Sequence, residues 1–128
     1  MLTLACILCT TPEAFKILDA QALLNKFLNE GCFTREMYDR GVSLEDIRTV
    51  RSADKRYPVY FYRENSRVVG YMYPGSLNIY LNRQFHDSFT TCQTAANLAH
   101  EISHQKGFYH FVDVAYAAGD SFNACCWE

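Results

Sequence analysis

The first third of the chain carries apolar residues at helical spacing. From Thr10 to about Glu30 these residues form one broad apolar face, which predicts an amphipathic α-helix. A Thr cap, the early Pro12 and the acidic Glu13 three residues after the cap are typical of a helix start. Gly31 is expected to end this helix, because glycine readily adopts the backbone conformation that terminates helices.

Four further segments have helical patterns. Residues 34–39 and 44–50 predict two short helices, and Ser43 is a suitable N-cap for the second. Residues 91–99 contain no proline or glycine and lead into a longer helix. Residues 116–127 predict a short closing helix at the C-terminal end.

The middle of the chain changes to the alternation of β-strands. Residues 58–63, 67–73 and 77–81 are rich in β-branched and aromatic residues, and residues 64–66 and 74–76 have the composition of turns. This order predicts a small antiparallel β-meander with one buried and one solvated face. The fold class expected from the whole pattern is therefore α+β.

Composition agrees with one ordered globular domain over residues 1–128. The chain is 49% hydrophobic and 20% charged, close to the average for such domains. A formal net charge of −2 disfavours a general nucleic-acid-binding surface. No apolar run approaches the length of a membrane span, and we expect a monomer.

The six cysteines are a high and even number for a small chain, which predicts disulfides and an oxidising compartment. Cys32 and Cys92 are the strongest candidates, since each lies at a predicted helix end. Buried free thiols in a reducing compartment are the alternative. Residues 1–9 are apolar but short and lack basic residues, so they make a poor signal peptide. The cysteine count nevertheless favours a secreted or periplasmic protein.

Residues 100–110 read H-E-x-x-H-x-x-G-x-x-H, and the spacing suits a zinc ion. His100 and His104 are four residues apart and therefore share one face of a helix. Gly107 is placed to end that helix, so that His110 can return as a third ligand. Glu101 can take a proton from the zinc-bound water and deliver it to the leaving amine.

This motif resembles the long zinc-binding signature of the metzincin metallopeptidases. The resemblance implies a zincin-like domain with Zn²⁺ held by the three histidines and with Glu101 as the catalytic base. Metzincins also have a methionine beneath the zinc, after the third histidine. Here Met1, Met37 and Met72 all precede the motif, and the chain is too short for a full metzincin. We therefore expect a minimal metzincin-like domain.

Tyr116 is the large side chain with a polar tip that follows His110 most closely at the start of the closing helix. We expect it to lie at the metal site, where its hydroxyl can steady the oxyanion of the reaction. Ordinary packing of the closing helix is the alternative.

The motif favours a zinc-dependent endopeptidase that acts on a peptide or protein substrate, bound in an extended form along the edge of the sheet. A zinc hydrolase of a cell-wall peptide or small amide is a second hypothesis. The third is a non-catalytic binding module stabilised by zinc, in which Asp113 or Asp120 closes the coordination sphere as a fourth ligand.

Overall fold

The predicted α+β class is confirmed. The structure, a computed structural model, describes residues 1–73, 75–108 and 114–127, and this part of the chain contains six helices and one four-stranded sheet. The elements follow in the order β1 (Thr3–Ile7), α1 (Thr11–Phe27), α2 (Gly31–Asp39), α3 (Leu44–Arg51), β2 (Arg56–Tyr62), β3 (Gly70–Tyr71), β4 (Ile79–Asn82), α4 (Arg83–His86), α5 (Thr91–Gln105) and α6 (Val114–Cys125).

The sheet is mixed, so the predicted antiparallel meander is wrong for the pairing of β2, whereas the antiparallel pairing of β3 with β4 is confirmed. Its strand order is β1-β2-β4-β3, with β1 and β4 both parallel to β2. The short edge strand β3 runs antiparallel, and it pairs with β4 rather than with β2. The turn-like residues 64–66 therefore do not form a hairpin between β2 and β3.

A buried asparagine explains this difference. The Asn82 amide, which is fully buried, accepts a hydrogen bond from the Glu64 backbone N–H and donates to the carbonyl oxygens of Glu64 and Val68 at 2.9 and 3.0 Å. These bonds hold the connection after β2 against the end of β4. The chain then continues on the far side of β4, where β3 pairs with it.

The N-terminal segment forms a strand that the sequence pattern did not predict. Leu2 and Leu4 are buried, and their backbone N–H groups donate to the side chains of Asn25 and Gln21 on α1 at 3.0 and 2.8 Å. Helix α1 thereby satisfies part of the outer edge of β1, which would otherwise present unpaired backbone groups.

The two faces of the sheet differ. Alternate residues of β2 and β4, such as Val59 and Leu81, are fully buried in the core with the helices. On the other face, the Tyr80 ring stacks between Tyr60 and Tyr71, with ring centroids 5.4 and 4.8 Å apart. These tyrosines stabilise the sheet through contacts between neighbouring strands.

Helix α1 begins as predicted but ends early. The Thr10 hydroxyl and the Glu13 carboxylate form a reciprocal capping box, whereas the helix ends at Phe27 instead of near residue 30. Gly31 begins α2 rather than ending α1. The break lets α2 turn back onto the core, where Phe33 and Met37 are fully buried.

The other predicted helices are close to their observed positions. Ser43 caps α3 by accepting from the Asp46 backbone N–H at 3.2 Å. Helix α6 begins and ends two residues before the predicted range of 116–127. The four-residue helix α4 follows β4 without a break and was not predicted, because so short a segment leaves no periodic signal.

Three disulfides link the cysteines as Cys6–Cys9, Cys32–Cys125 and Cys92–Cys126. The predicted participation of Cys32 and Cys92 is confirmed. The last two bonds attach the end of α6 to α2 and to the first turn of α5. Such bonds are typical of an oxidising, extracellular-type environment. None of the described helices is long and apolar enough to cross a membrane.

Candidate metal centre

Helix α5 carries the first two histidines of the motif on its polar face. The Thr90 hydroxyl accepts from the Gln93 backbone N–H, and the Gln93 side chain accepts from the Thr90 backbone N–H at 2.8 Å, which fixes the start of the helix. The opposite face is buried in the core. Its buried apolar residues are Ala95, Leu98, Ala99 and Ile102.

The predicted helix stop at Gly107 is confirmed. Its φ of +101° lies in a region that favours glycine. The Gly107 N–H donates to the His104 carbonyl at 3.0 Å, and the Phe108 N–H donates to the Ser103 carbonyl at 3.1 Å. This pair of bonds is the Schellman motif, and it turns the Phe108 carbonyl back toward the last turn of α5.

The turn determines which nitrogen of His104 carries the ring proton. His104 Nδ1 lies 2.6 Å from the Phe108 carbonyl oxygen. Because a carbonyl oxygen can only accept, Nδ1 carries the proton and donates. In the neutral ring the lone pair is then on Nε2, which lies 3.2 Å from Nε2 of His100. Orientation of a histidine by a backbone carbonyl in this way is usual for metal ligands.

Glu101 lies between the two imidazoles and the interior. It is only 2% exposed, and its Oε1 lies 3.8 Å from His100 Nε2. Its Oε2 is buried without a hydrogen-bond partner in the described part of the chain. Burial raises the pKa of Glu101 to about 7, because the charged carboxylate is poorly solvated there.

The three residues form a group that could hold a metal ion. One ligand atom from each of His100, Glu101 and His104 can be chosen so that all three atoms lie within 4.8 Å of one another. Imidazole nitrogens and carboxylate oxygens are both common metal ligands. The predicted third histidine, His110, lies outside the described residues, and so does Asp113.

Tyr116, in the first turn of α6, lies against the site. Its ring centroid is 4.8 Å from that of His100, with the ring planes inclined by 59°. The residue is 50% exposed. Tyr116 therefore lies at the mouth of the site and is not a buried core residue.

A cavity of about 590 Å³ opens beside the metal group and is lined in part by His100 and Glu101. The polar face of α5, the side of α6 with Tyr116 and Asp120, and the chain segment 67–70 form its walls. Gly70, which lies in the edge strand β3, is part of the segment 67–70. The metal group therefore lies in a cleft between two helices and the edge of the sheet, which is large enough for a small ligand.

Sequence reasoning did not identify Asn97 and Gln93, which also line the cavity. Both could have been found from the helical spacing, since Gln93, Asn97, His100 and His104 recur every three or four residues on one face of α5. By contrast, no local pattern shows that the segment 67–70 lies across from them, because that contact depends on the pairing of β3 with β4.

The function of the chain has to be inferred from the geometry of the site. No family model, curated protein or solved structure matches the chain. The observations that remain are two converging imidazoles, a buried carboxylate with an unused oxygen and a tyrosine ring at the mouth of a cleft.

Proposed function

We propose that this protein is a zinc-dependent metallopeptidase of minimal metzincin-like form, with His100, His104 and His110 as ligands and Glu101 as the general base. One observation carries the proposal. The Nε2 atoms of His100 and His104 converge to 3.2 Å beside the buried Glu101, at the edge of a large cleft.

The convergence suits zinc. Two nitrogens bound tetrahedrally to one zinc ion, each at 2.0–2.1 Å, lie about 3.3 Å apart. The hydrogen bond from His104 Nδ1 to the Phe108 carbonyl places the ring lone pair on Nε2, the atom that would coordinate the ion, which supports the same assignment. Zinc, when bound, polarises a carbonyl group and lowers the pKa of water.

Glu101 has the properties of a general base. Without a metal, burial raises the pKa of Glu101 to about 7, and a carboxylate beside the zinc ligands can accept a proton from the water and return it. Glu101 Oε1, which lies 3.8 Å from His100 Nε2, is the oxygen placed to accept a proton from the attacking water. The protonated Glu101 would then donate to the nitrogen of the broken peptide bond.

Tyr116 is the proposed stabiliser of the oxyanion. Its ring lies against His100, and half of the residue is accessible to a molecule in the cleft. A phenol is a hydrogen-bond donor at neutral pH and can stabilise negative charge that develops on the carbonyl oxygen.

The cleft favours a peptide substrate in an extended conformation. The segment 67–70 leads into the open edge strand β3 and borders the cavity, so a substrate could add to the sheet by backbone pairing. The edge of β1, in contrast, is occupied by α1 side chains. Three disulfides support action outside the cell or in the periplasm.

The decisive experiment pairs metal analysis with peptide hydrolysis. The zinc content and the cleavage of a random peptide library are measured for the wild type and for Glu101→Gln. We expect one zinc ion per chain in both proteins and cleavage at least about 100-fold slower in the variant, since a general base contributes at least that much. Equal loss of zinc and cleavage would show that Glu101 is a ligand instead.

Two further outcomes would replace the proposal. Hydrolysis of isolated cell-wall peptide without cleavage of the library would favour the cell-wall hydrolase. If the wild type holds zinc but cleaves nothing, and Asp120→Asn loses the zinc, a closed site in a binding module is the better description.

A further inference from the structure

Asn97 is held in the cleft by a buried histidine. Its Oδ1 lies 3.1 Å from Nε2 of His86, whose Nδ1 lies 3.0 Å from the Thr94 hydroxyl. His86 is 1% exposed and Thr94 is fully buried. Asn97 itself is partly exposed and lines the cavity beside the metal group.

Thr94, His86 and Asn97 form a hydrogen-bonded clamp, and these hydrogen bonds determine where its protons lie. Because Asn97 Oδ1 is an acceptor, His86 Nε2 carries the ring proton and donates to it. The lone pair on Nδ1 then accepts from the Thr94 hydroxyl. Burial lowers the pKa of His86 to about 4, so the ring is neutral near pH 7 and the arrangement is stable there. The clamp occupies the oxygen of the Asn97 amide and leaves its nitrogen unused.

The edge strand is shaped to accommodate this amide. A Cβ atom at Gly70 would lie 2.7 Å from Asn97 Oδ1 and 2.9 Å from the Tyr80 carbonyl oxygen, closer than such contacts allow. Glycine is therefore required at this point of β3, because the backbone passes directly over the amide. The amide lies between His86 on one side and the strand that borders the cleft on the other.

Asn97 lines the same cavity as His100 and Glu101. Asn97 Nδ2 has no hydrogen bond to any residue in the described ranges, so two donors are available at the cavity wall. Asn97 precedes Glu101 by one helical turn, about 6 Å along the axis. An extended peptide rises about 3.3 Å per residue, so this distance corresponds to about two substrate residues.

We propose that the Asn97 side-chain amide positions the substrate, by donating a hydrogen bond to a backbone carbonyl about two residues from the scissile bond. The inference rests on the proposed peptidase function and specifies how that site binds an extended peptide. His86 and Thr94 would then be positioning residues that act through Asn97.

The test replaces the amide nitrogen of Asn97 and keeps the hydrogen bond between Asn97 and His86. Asn97→Asp retains an oxygen acceptor for His86 Nε2 but substitutes a carboxylate oxygen for the donor, so the fold should be preserved. Asn123→Asp is the matched control, since Asn123 lies on the α6 wall of the same cavity and the variant introduces the same charge. Thermal unfolding is compared first to verify that both variants are folded.

Binding is measured without catalysis. The metal-free wild type labelled with ¹⁵N is titrated with N-acetyl-hexaalanine amide, and the side-chain amide signals of Asn97 and Asn123 are followed. We expect a saturable shift at Asn97 that is larger than the shift at Asn123. Kd should rise by at least about 10-fold in Asn97→Asp and by less than about twofold in Asn123→Asp. An unperturbed Asn97 signal, or an unchanged Kd in Asn97→Asp, would overturn the inference.

Kinetics separates the inference from the proposed function. With a peptide that the zinc-loaded wild type cleaves, Asn97→Asp should raise KM by at least about 10-fold while kcat stays within about twofold, the signature of a binding contact that is equal in ground and transition states. Cleavage with an unchanged KM in Asn97→Asp would reject the role of Asn97 and retain the peptidase. Peptide binding through Asn97 without any cleavage by the wild type would reject the peptidase and retain the binding role.

Discussion

At the scale of single residues, the chemistry of the cleft depends on where protons are held. His104 keeps its proton on Nδ1 because the Phe108 carbonyl accepts it, and Glu101 keeps its proton up to about pH 7 because it is buried. His86 behaves in the opposite sense, since burial of a base favours its uncharged form. Three groups on two adjacent helices thus have protonation states set by their surroundings rather than by residue type.

The stability of the protein should fall in mild acid because of His86. Burial, opposed in part by the hydrogen bond with Asn97, lowers the pKa of His86 in the folded protein to about 4, against about 6.5 when it is unfolded. Between these values the unfolded chain binds the proton and the folded chain does not. The contribution of His86 is therefore fully present above about pH 6.5, and about 3 kcal/mol of it is lost by pH 4.

This prediction is checked by urea denaturation of the wild type and of His86→Gln at pH 4 and pH 7. Glutamine can still donate to Asn97 but does not titrate, so the variant should lose less stability on acidification. Carboxylates such as Glu101 titrate in both proteins and cancel in the comparison. Identical pH dependences in the two proteins would show that His86 is not the group responsible.

Tyr116 should contribute to turnover and not to metal affinity. Removal of its hydroxyl in Tyr116→Phe keeps the ring against His100 but removes the proposed oxyanion donor. We expect kcat to fall by at least about 10-fold, with zinc affinity and KM within about twofold of the wild type. Tyr38→Phe, which changes a similarly exposed tyrosine on α2, is the control. Unchanged kcat in Tyr116→Phe would restrict the residue to packing.

At the scale of elements, α5 brings the site together because both of its ends are fixed. The capping box at Thr90 sets its start, and Gly107 sets its end and returns the chain toward His104. The Phe108 carbonyl that orients His104 is itself part of this turn. The end of the helix and the orientation of the candidate metal ligand His104 are therefore coupled.

Substitution of Gly107 should therefore affect metal binding as well as stability. In Gly107→Ala the φ of +101° becomes strained, at a cost of about 1–3 kcal/mol, and relief of the strain would move the Phe108 carbonyl away from His104. We expect zinc affinity to fall by at least about 10-fold, as found when groups that orient metal ligands are removed. The zinc affinity of the wild type and of the variant is measured by competition with a fluorescent chelator.

Gly41 provides a matched control. It has a φ of +88° and ends α2 with the same pair of hydrogen bonds, from Gly41 to Tyr38 and from Val42 to Met37. Among the described residues, a Cβ atom would meet no neighbour at either glycine, so both variants should lose similar stability. A similar loss of zinc affinity in Gly41→Ala would show that the effect is not specific to the site.

At the scale of the whole molecule, disulfides fix α6 in place. Cys125 and Cys126 are adjacent, and they bond to Cys32 and Cys92 on two different helices. Helix α6 forms one wall of the cleft and carries Tyr116, so these bonds hold that wall against α5 and α2.

The long-range bond should stabilise the fold more than the local one. Cys32–Cys125 spans 93 residues and Cys6–Cys9 spans 3. The chain entropy removed from the unfolded state then corresponds to about 5 and about 2 kcal/mol, respectively. Urea denaturation under non-reducing conditions should show the larger loss when Cys32 and Cys125 are both replaced by alanine than when Cys6 and Cys9 are. Equal losses would contradict the loop-length argument.

The sequence by itself determined the local features of this protein. The capped start of α1, the stop at Gly107 and the shared face of His100 and His104 were all predicted, because each depends on residues within about one helical turn of one another. For the same reason, the candidate chemistry of Glu101 follows from its place beside His100 in the motif.

Only the tertiary structure decided how distant segments meet. The parallel pairing of β2 and β4 depends on the buried Asn82 amide, the cysteine partners on the position of α6, and the orientation of Asn97 on His86 and Gly70. These contacts join residues that are far apart in the chain, and no local spacing specifies them. The motif therefore located the candidate metal ligands, whereas the fold supplied the cleft that would contain a substrate.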